Sequence, residues 1–171
     1  MRRLIALVAI LLTLGMAGDV WAYKCPQVQD ATTRYVCTQT VFNDQGATIV
    51  STDVVAWDDD DTDFSTSEYP YVTLTTTADD PYTAGVVAEG QTCPDQSLCD
   101  IVVYGPATVQ IADSTDDATV DTLVATSSVS GSVGDAGTTA DTCSLGMLVD
   151  VASGATTDNA FGTVFVNVDC R

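Results

Sequence analysis

The chain predicts an all-β fold: a single β-sandwich or β-barrel domain of about eight to ten short strands, stapled by disulfides. Three observations carry this. Beyond residue 22 the chain is rich in Thr, Val, Ser, Asp and Gly and poor in Leu, Glu, Lys and Arg, which favours strand over helix. Short runs of β-formers alternate with turn formers along its whole length. Six cysteines, an even number, stand ready to pair.

Arg34–Phe42 reads as a strand that ends at the turn Asn43-Asp44-Gln45-Gly46. Ala47–Val50 and Val54–Trp57 follow, then the acidic stretch Asp58–Asp63. Tyr69–Thr77 alternates strongly and is broken by Asp79-Asp80-Pro81. Thr83–Glu89 leads to a clipped turn between Cys93 and Cys99. Asp100–Ala112 is the longest apolar run beyond the amino terminus, and Gly105-Pro106 within it predicts a bend or an edge position. Thr122–Val129 precedes a Gly/Ser-rich loop, Ser130–Asp141. Cys143–Ala152 and Gly162–Cys170 form the closing pair, joined by Ser153–Phe161. In the last strand Val164, Val166 and Val168 face one way, and Thr163, Phe165 and Asn167 the other.

The first residues are an address rather than part of the domain. Arg2 and Arg3 precede an apolar run from Leu4 to Met16, and Val20-Trp21-Ala22 fits a small-residue cleavage rule. Residues 1–22 therefore read as a secretory signal peptide and residues 23–171 as the all-β domain. The apolar run is short of the roughly 20 residues that span a bilayer. After cleavage no stretch is long enough for a membrane span, and the product is expected to be secreted: extracellular, on the cell surface or periplasmic.

All six cysteines, Cys25, Cys37, Cys93, Cys99, Cys143 and Cys170, follow the cleavage site. None lies in a C-x-x-C knuckle, so disulfides suit them better than zinc. Sequential pairing is the simplest of the 15 possible connectivities.

Lys and Arg number 5 against 24 Asp and Glu, for a net charge of −19, and histidine is absent. Hydrophobic residues make up 46% of the chain, so a core can form despite this acidity. The missing histidine excludes Ser-His-Asp and Cys-His triads and His-ligated metals. The acidity argues against nucleic acid as a partner, since phosphate binding rests on clustered Lys and Arg.

The carboxylates supply the remaining candidate chemistry. Asp58, Asp59, Asp60, Asp61 and Asp63 follow Trp57, and such clusters suit Ca²⁺, a hard cation that takes oxygen ligands. The EF-hand glycine and glutamate are not at their places, and charge runs more often form a solvated acidic loop between strands. Asp113, Asp116, Asp117 and Asp121 form a second such turn. A paired-carboxylate hydrolase could draw its acid from Glu68 or Glu89. Lys24 adjoins Cys25 and is poorly placed for a Ser-Lys mechanism. Trp57, Tyr69 and Tyr71 suit either a sugar-stacking platform or ordinary cross-strand packing. No catalytic or cofactor-binding residue is assigned.

From Thr48 to Val168 the order of elements resembles the small β-barrel modules that decorate or cement tailed-phage heads. The residues concerned are Thr48–Asp58, Thr83–Glu89, Val102–Ala112, Asp121–Ser128, Leu145–Val151 and Val164–Val168. The shared rhythm is a short strand and loop, an Ala-Gly-Val segment, a long strand with a central Gly, a Leu-Gly turn and a closing strand. The export signal and the cysteines depart from that family. The combined expectation is a secreted, non-enzymatic structural protein that coats, decorates or assembles at a surface, as a homo-oligomer or surface assembly. The alternative is a Ca²⁺-dependent carbohydrate- or surface-binding module.

Overall fold

The structure is a computed structural model that describes residues 36–58, 69–112, 121–136, 143–151 and 160–170. Residues 1–22, expected to be a signal peptide, Cys25 and most of the acidic stretch lie outside them. Every regular element among the described residues is a strand: β1 (Cys37–Asn43), β2 (Ile49–Val50), β3 (Val54–Trp57), β4 (Tyr71–Leu74), β5 (Thr83–Val87), β6 (Thr92–Cys93), β7 (Ser97–Ile111), β8 (Leu123–Thr126), β9 (Ser132–Asp135), β10 (Cys143–Val151) and β11 (Phe161–Cys170). Among them no helix is long and apolar enough to cross a membrane.

The main sheet runs β1-β4-β3-β5-β7-β11-β10-β8-β9, and both of its ends return to β7 through β1–β7 and β7–β9 pairings. It therefore closes twice. One circuit is β1-β4-β3-β5-β7 and the other is β7-β11-β10-β8-β9. These are barrels of five strands fused along one strand, which decides for a barrel over a sandwich. β2 and β6 form a separate ribbon beside the first circuit.

β7 is long because it serves both barrels. Its first half pairs with β1 and β5, and its second half with β11 and β9. The partners change at Gly105-Pro106. The expected bend is there, but the strand is the hub of the sheet rather than an edge. Gly105 has φ +110°, in a region that L side chains rarely adopt. Odd-numbered residues before it (Cys99, Ile101) face the first core, and odd-numbered residues after it (Val109, Ile111) face the second. Val102 already faces the second core, so across the bulge at Val102–Tyr104 and the glycine the residues that face this core change from even to odd.

The first core gathers Val41, Ile49, Val55, Val72, Val87 and Ile101. The second gathers Val109, Val124, Val133, Leu145, Leu148, Val164 and Val166. Neighbouring valines split between them: Val54 and Val86 join the second core, Val55 and Val87 the first. Since side chains alternate along a strand, β3 and β5 form a wall buried on both faces. Two apolar residues in succession are the mark of such a wall.

Two readings change. Cys93–Cys99 holds a disulfide as expected, but Ser97–Cys99 already belongs to β7, so the bridge ties β6 to the start of the hub. Ser130–Asp141 reads as loop, yet Ser132–Asp135 is β9. Its single large apolar side chain, Val133, is fully buried, and its backbone closes the second barrel against β7 and β8. Gly and Ser hide such a strand because its stability comes from pairing rather than propensity. Cys37 and Cys143 are also disulfide-bonded, and Cys143 lies directly opposite Cys170 in the β10–β11 ladder.

Asn43, fully buried at the end of β1, links three parts of the first barrel. Its Nδ2 donates to the carbonyls of Ala47 and Cys93, each at 2.7 Å, and its Oδ1 accepts from the Gln45 N–H at 3.2 Å. Asn43→Ala takes this donor from the Cys93 carbonyl, a buried hydrogen bond, and chemical denaturation should show a loss of about 1–3 kcal/mol. Gly105→Ala should cost about 1–3 kcal/mol through forced backbone strain. Because β7 is common to both barrels, Trp57 fluorescence and hydrogen exchange of β10 and β11 should report the same shifted transition. Two separate transitions would contradict the hub.

Candidate functional site

The acidic stretch begins where β3 ends. The Asp58 N–H donates to the Tyr71 carbonyl at 3.1 Å, continuing the β3–β4 ladder by one residue. Asp59, Asp60, Asp61 and Asp63 lie outside the described residues, as do Asp113, Asp116, Asp117 and Glu68. Asp121 is described, with φ +69° and its N–H donating to the Leu148 carbonyl at 2.8 Å. Among the described residues no three Asp, Glu, Cys or His side chains gather where they could hold a metal.

The aromatic platform is not assembled from Trp57 and Tyr71. Trp57 stands opposite Val72, so its side chain shares the Val72 face and Tyr71 points to the other. Tyr71 packs edge-on against Phe42, with ring centroids 5.2 Å apart. Trp57 instead lines a groove of about 390 Å³ with Thr83, Ala84, Val103, Tyr104 and Asn167. A second groove of about 380 Å³ includes Glu89 together with Val102, Pro106 and Thr163. Among the described residues that line it Glu89 is the one carboxylate, so they do not assemble the pair that glycoside cleavage requires.

The surface that does assemble lies on the outer face of the second barrel. Met147 of β10 pairs with Leu123 of β8 on one side and with Phe165 of β11 on the other. Phe165 pairs in turn with Pro106 of β7. Directly opposed residues project from the same side of a sheet, so Leu123, Met147, Phe165 and Pro106 form one apolar row across four strands. Leu123 is 51% exposed and Met147 45%. Tyr104 packs edge-on against Phe165 with centroids 5.1 Å apart, and carries the row to the rim of the Trp57 groove.

Local sequence explains the row. On β10, Leu145 and Leu148 are fully buried while Met147 and Val149 are exposed, because bulges on either side of Gly146–Leu148 reset the alternation. Gly146 lets β10 approach β11: a Cβ there would lie 2.1 Å from the Phe165 carbonyl oxygen. The row and its surroundings carry little charge, with exposed Asp150, opposed to Thr163, bordering the row on the same face. Residues 104–110, 123–126, 143–149 and 161–167 contain no Asp, Glu, Lys or Arg. In a chain of net charge −19 this concentrates the acidity elsewhere. The sequence signal was the apolar content of both faces of β10 and β11, but only the strand pairing turns it into a row.

One carboxyl sits at the joint between the barrels. Asp53 Oδ2 accepts from the Val50 N–H at 2.9 Å, and the Asp53 carbonyl accepts from the Val87 N–H at 3.0 Å. Burial pushes its carboxyl above the ordinary Asp value, opposed by the Val50 hydrogen bond.

No protein-family model matches the chain, and neither does any curated protein sequence. Among solved structures the head fiber gp8.5 N base of bacteriophage phi29 is similar at a TM-score of 0.47 and 14% identity. The match covers 77% of this chain and 94% of that one.

The Asp53 environment has a signed consequence. A carboxyl whose folded pKa exceeds its unfolded value adds stability that is complete below the unfolded pKa and is lost as pH rises through the folded one. The stability of the native protein relative to Asp53→Asn should therefore be greatest in acid and decline towards neutral pH, as measured by denaturant titration of both proteins. A difference that is constant or grows with pH would contradict the buried-carboxyl reading.

Proposed function

We propose that the protein is an exported, non-enzymatic structural module that coats, decorates or assembles at an extracellular or particle surface. The observation that carries this reading is the uncharged apolar row Leu123–Met147–Phe165–Pro106 on the second barrel. Exposed apolar surface free of charge marks the places where proteins meet other surfaces. The fold supports the same use. The ends of the main sheet are joined to β7, and the Cys93–Cys99 bridge fastens the hub at its start. Disulfides belong to oxidising compartments and favour persistence there.

Charge sets the conditions. With residues 1–22 removed, three basic residues remain against 23 acidic ones, so crowding of copies on a surface requires the repulsion to be screened or bridged by cations. Gold-labelled antibody on cells, released particles and culture fluid should find the protein concentrated on a surface. Transfer into about 10 mM salt with a chelator, where screening reaches only about 30 Å, should release it. Protein found only free in the fluid, or attachment indifferent to salt and chelation, would overturn the proposal.

A further inference from the structure

We infer that the row Leu123–Met147–Phe165–Pro106 is a self-complementary contact through which two copies of this chain pair about a two-fold axis. The inference rests on the surface-module reading and names the first partner of its exposed face.

Three observations select a second copy as the occupant. The first is closure. The main sheet returns to β7 at both ends, so two copies do not join by extending it and the outer face of the second barrel is left for them to meet on. The second is charge. Exported copies, with three basic and 23 acidic residues each, repel wherever their acidic surfaces approach; residues 104–110, 123–126, 143–149 and 161–167 hold no charge, and Asp150 at the margin of the row faces Thr163 of the second copy rather than another carboxylate. A cationic partner would be drawn to the acidic turns instead.

The third is the order of residues within the row. Neighbouring strands lie about 4.8 Å apart, so four members span about 14 Å. A two-fold axis parallel to the strands, lying in the interface above the gap between Met147 and Phe165, lays the row face to face over itself reversed. Met147 then meets Phe165 of the second copy, and Leu123 meets Pro106. The first is a thioether against an aromatic ring, a favourable pair. The second is apolar against apolar. Each contact occurs twice, as an isologous interface requires. Tyr104, 43% exposed beside Phe165, flanks the row on the side away from Met147 and so widens the contact at both ends.

The test is sedimentation equilibrium of the full exported protein at about 0.15 M salt, where the Debye length is about 8 Å. Native protein should be dimeric. Met147→Glu and Leu123→Glu change exposed side chains, and a symmetric dimer carries each change twice, so each should weaken association at least about tenfold, a step of 1.4 kcal/mol. Circular dichroism and the Trp57 emission should match the native protein for both. Leu98→Glu alters an equally exposed residue, 47% accessible, on the first barrel, and should leave the dimer intact. A native monomer at about 100 µM, well above the micromolar affinities of ordinary interfaces, would overturn the inference. So would a dimer that survives both substitutions, or one that Leu98→Glu dissociates. Surface labelling without a dimer would defeat this pairing alone; a dimer without surface labelling would defeat the broader reading and leave the pairing standing.

Discussion

The structure depends on β7 hydrogen-bonding to four other strands. On one edge β5 hands over to β11, and on the other β1 hands over to β9. A strand has only two edges, so four partners require it to be long and to change direction where they change. Fifteen residues provide the length, and Gly105, at φ +110°, provides the turn. Both barrels close on this strand. The two cores are therefore not independent: the wall of β3 and β5 contributes alternate valines to each, and the hub carries Ile101 into one and Val109 into the other.

This arrangement explains which parts of the fold were legible in sequence. Val54-Val55, Val86-Val87 and Ile101-Val102 show strong β-formers without polar alternation, and their strands were recovered with their approximate bounds. What such doublets mean, a wall with a core on each side, becomes visible only when both cores are in place. β9 was missed for the opposite reason. Ser132-Val133-Gly134-Asp135 has little propensity of its own, and it is a strand because β7 and β8 present free backbone groups on either side of it. Local composition reports what a segment prefers; ring closure is a non-local demand that overrides it.

The candidate surface follows the same division. Phe165 was correctly placed on the face opposite Val164 and Val166, yet nothing local connects it with Met147, Leu123 and Pro106. Those four residues are separated along the chain by 59 positions at their extremes and are neighbours only through the ladders of β7, β11, β10 and β8. The carboxylate-rich stretches were easier to see because they are contiguous. Asp58 extends a ladder, and Asp59, Asp60, Asp61 and Asp63 lie outside the described residues, so the Ca²⁺ reading gains no geometry.

Acidity and the apolar row are two sides of one physical constraint. A chain with 24 acidic and 5 basic residues has an electrostatic surface that keeps copies apart at low ionic strength. Apolar contact does not depend on charge and is weakened little by dilution of salt, but its reach is only contact distance. Repulsion governs the approach, and the apolar row governs what happens once screening allows it. Association in such a molecule is therefore switched by the ionic medium while its geometry is fixed by the sheet. Because the row is held by strand registers on β7, β10 and β11, the backbone closure that builds the second barrel also aligns the surface, and loosening the hub would blur the row before it exposed the core.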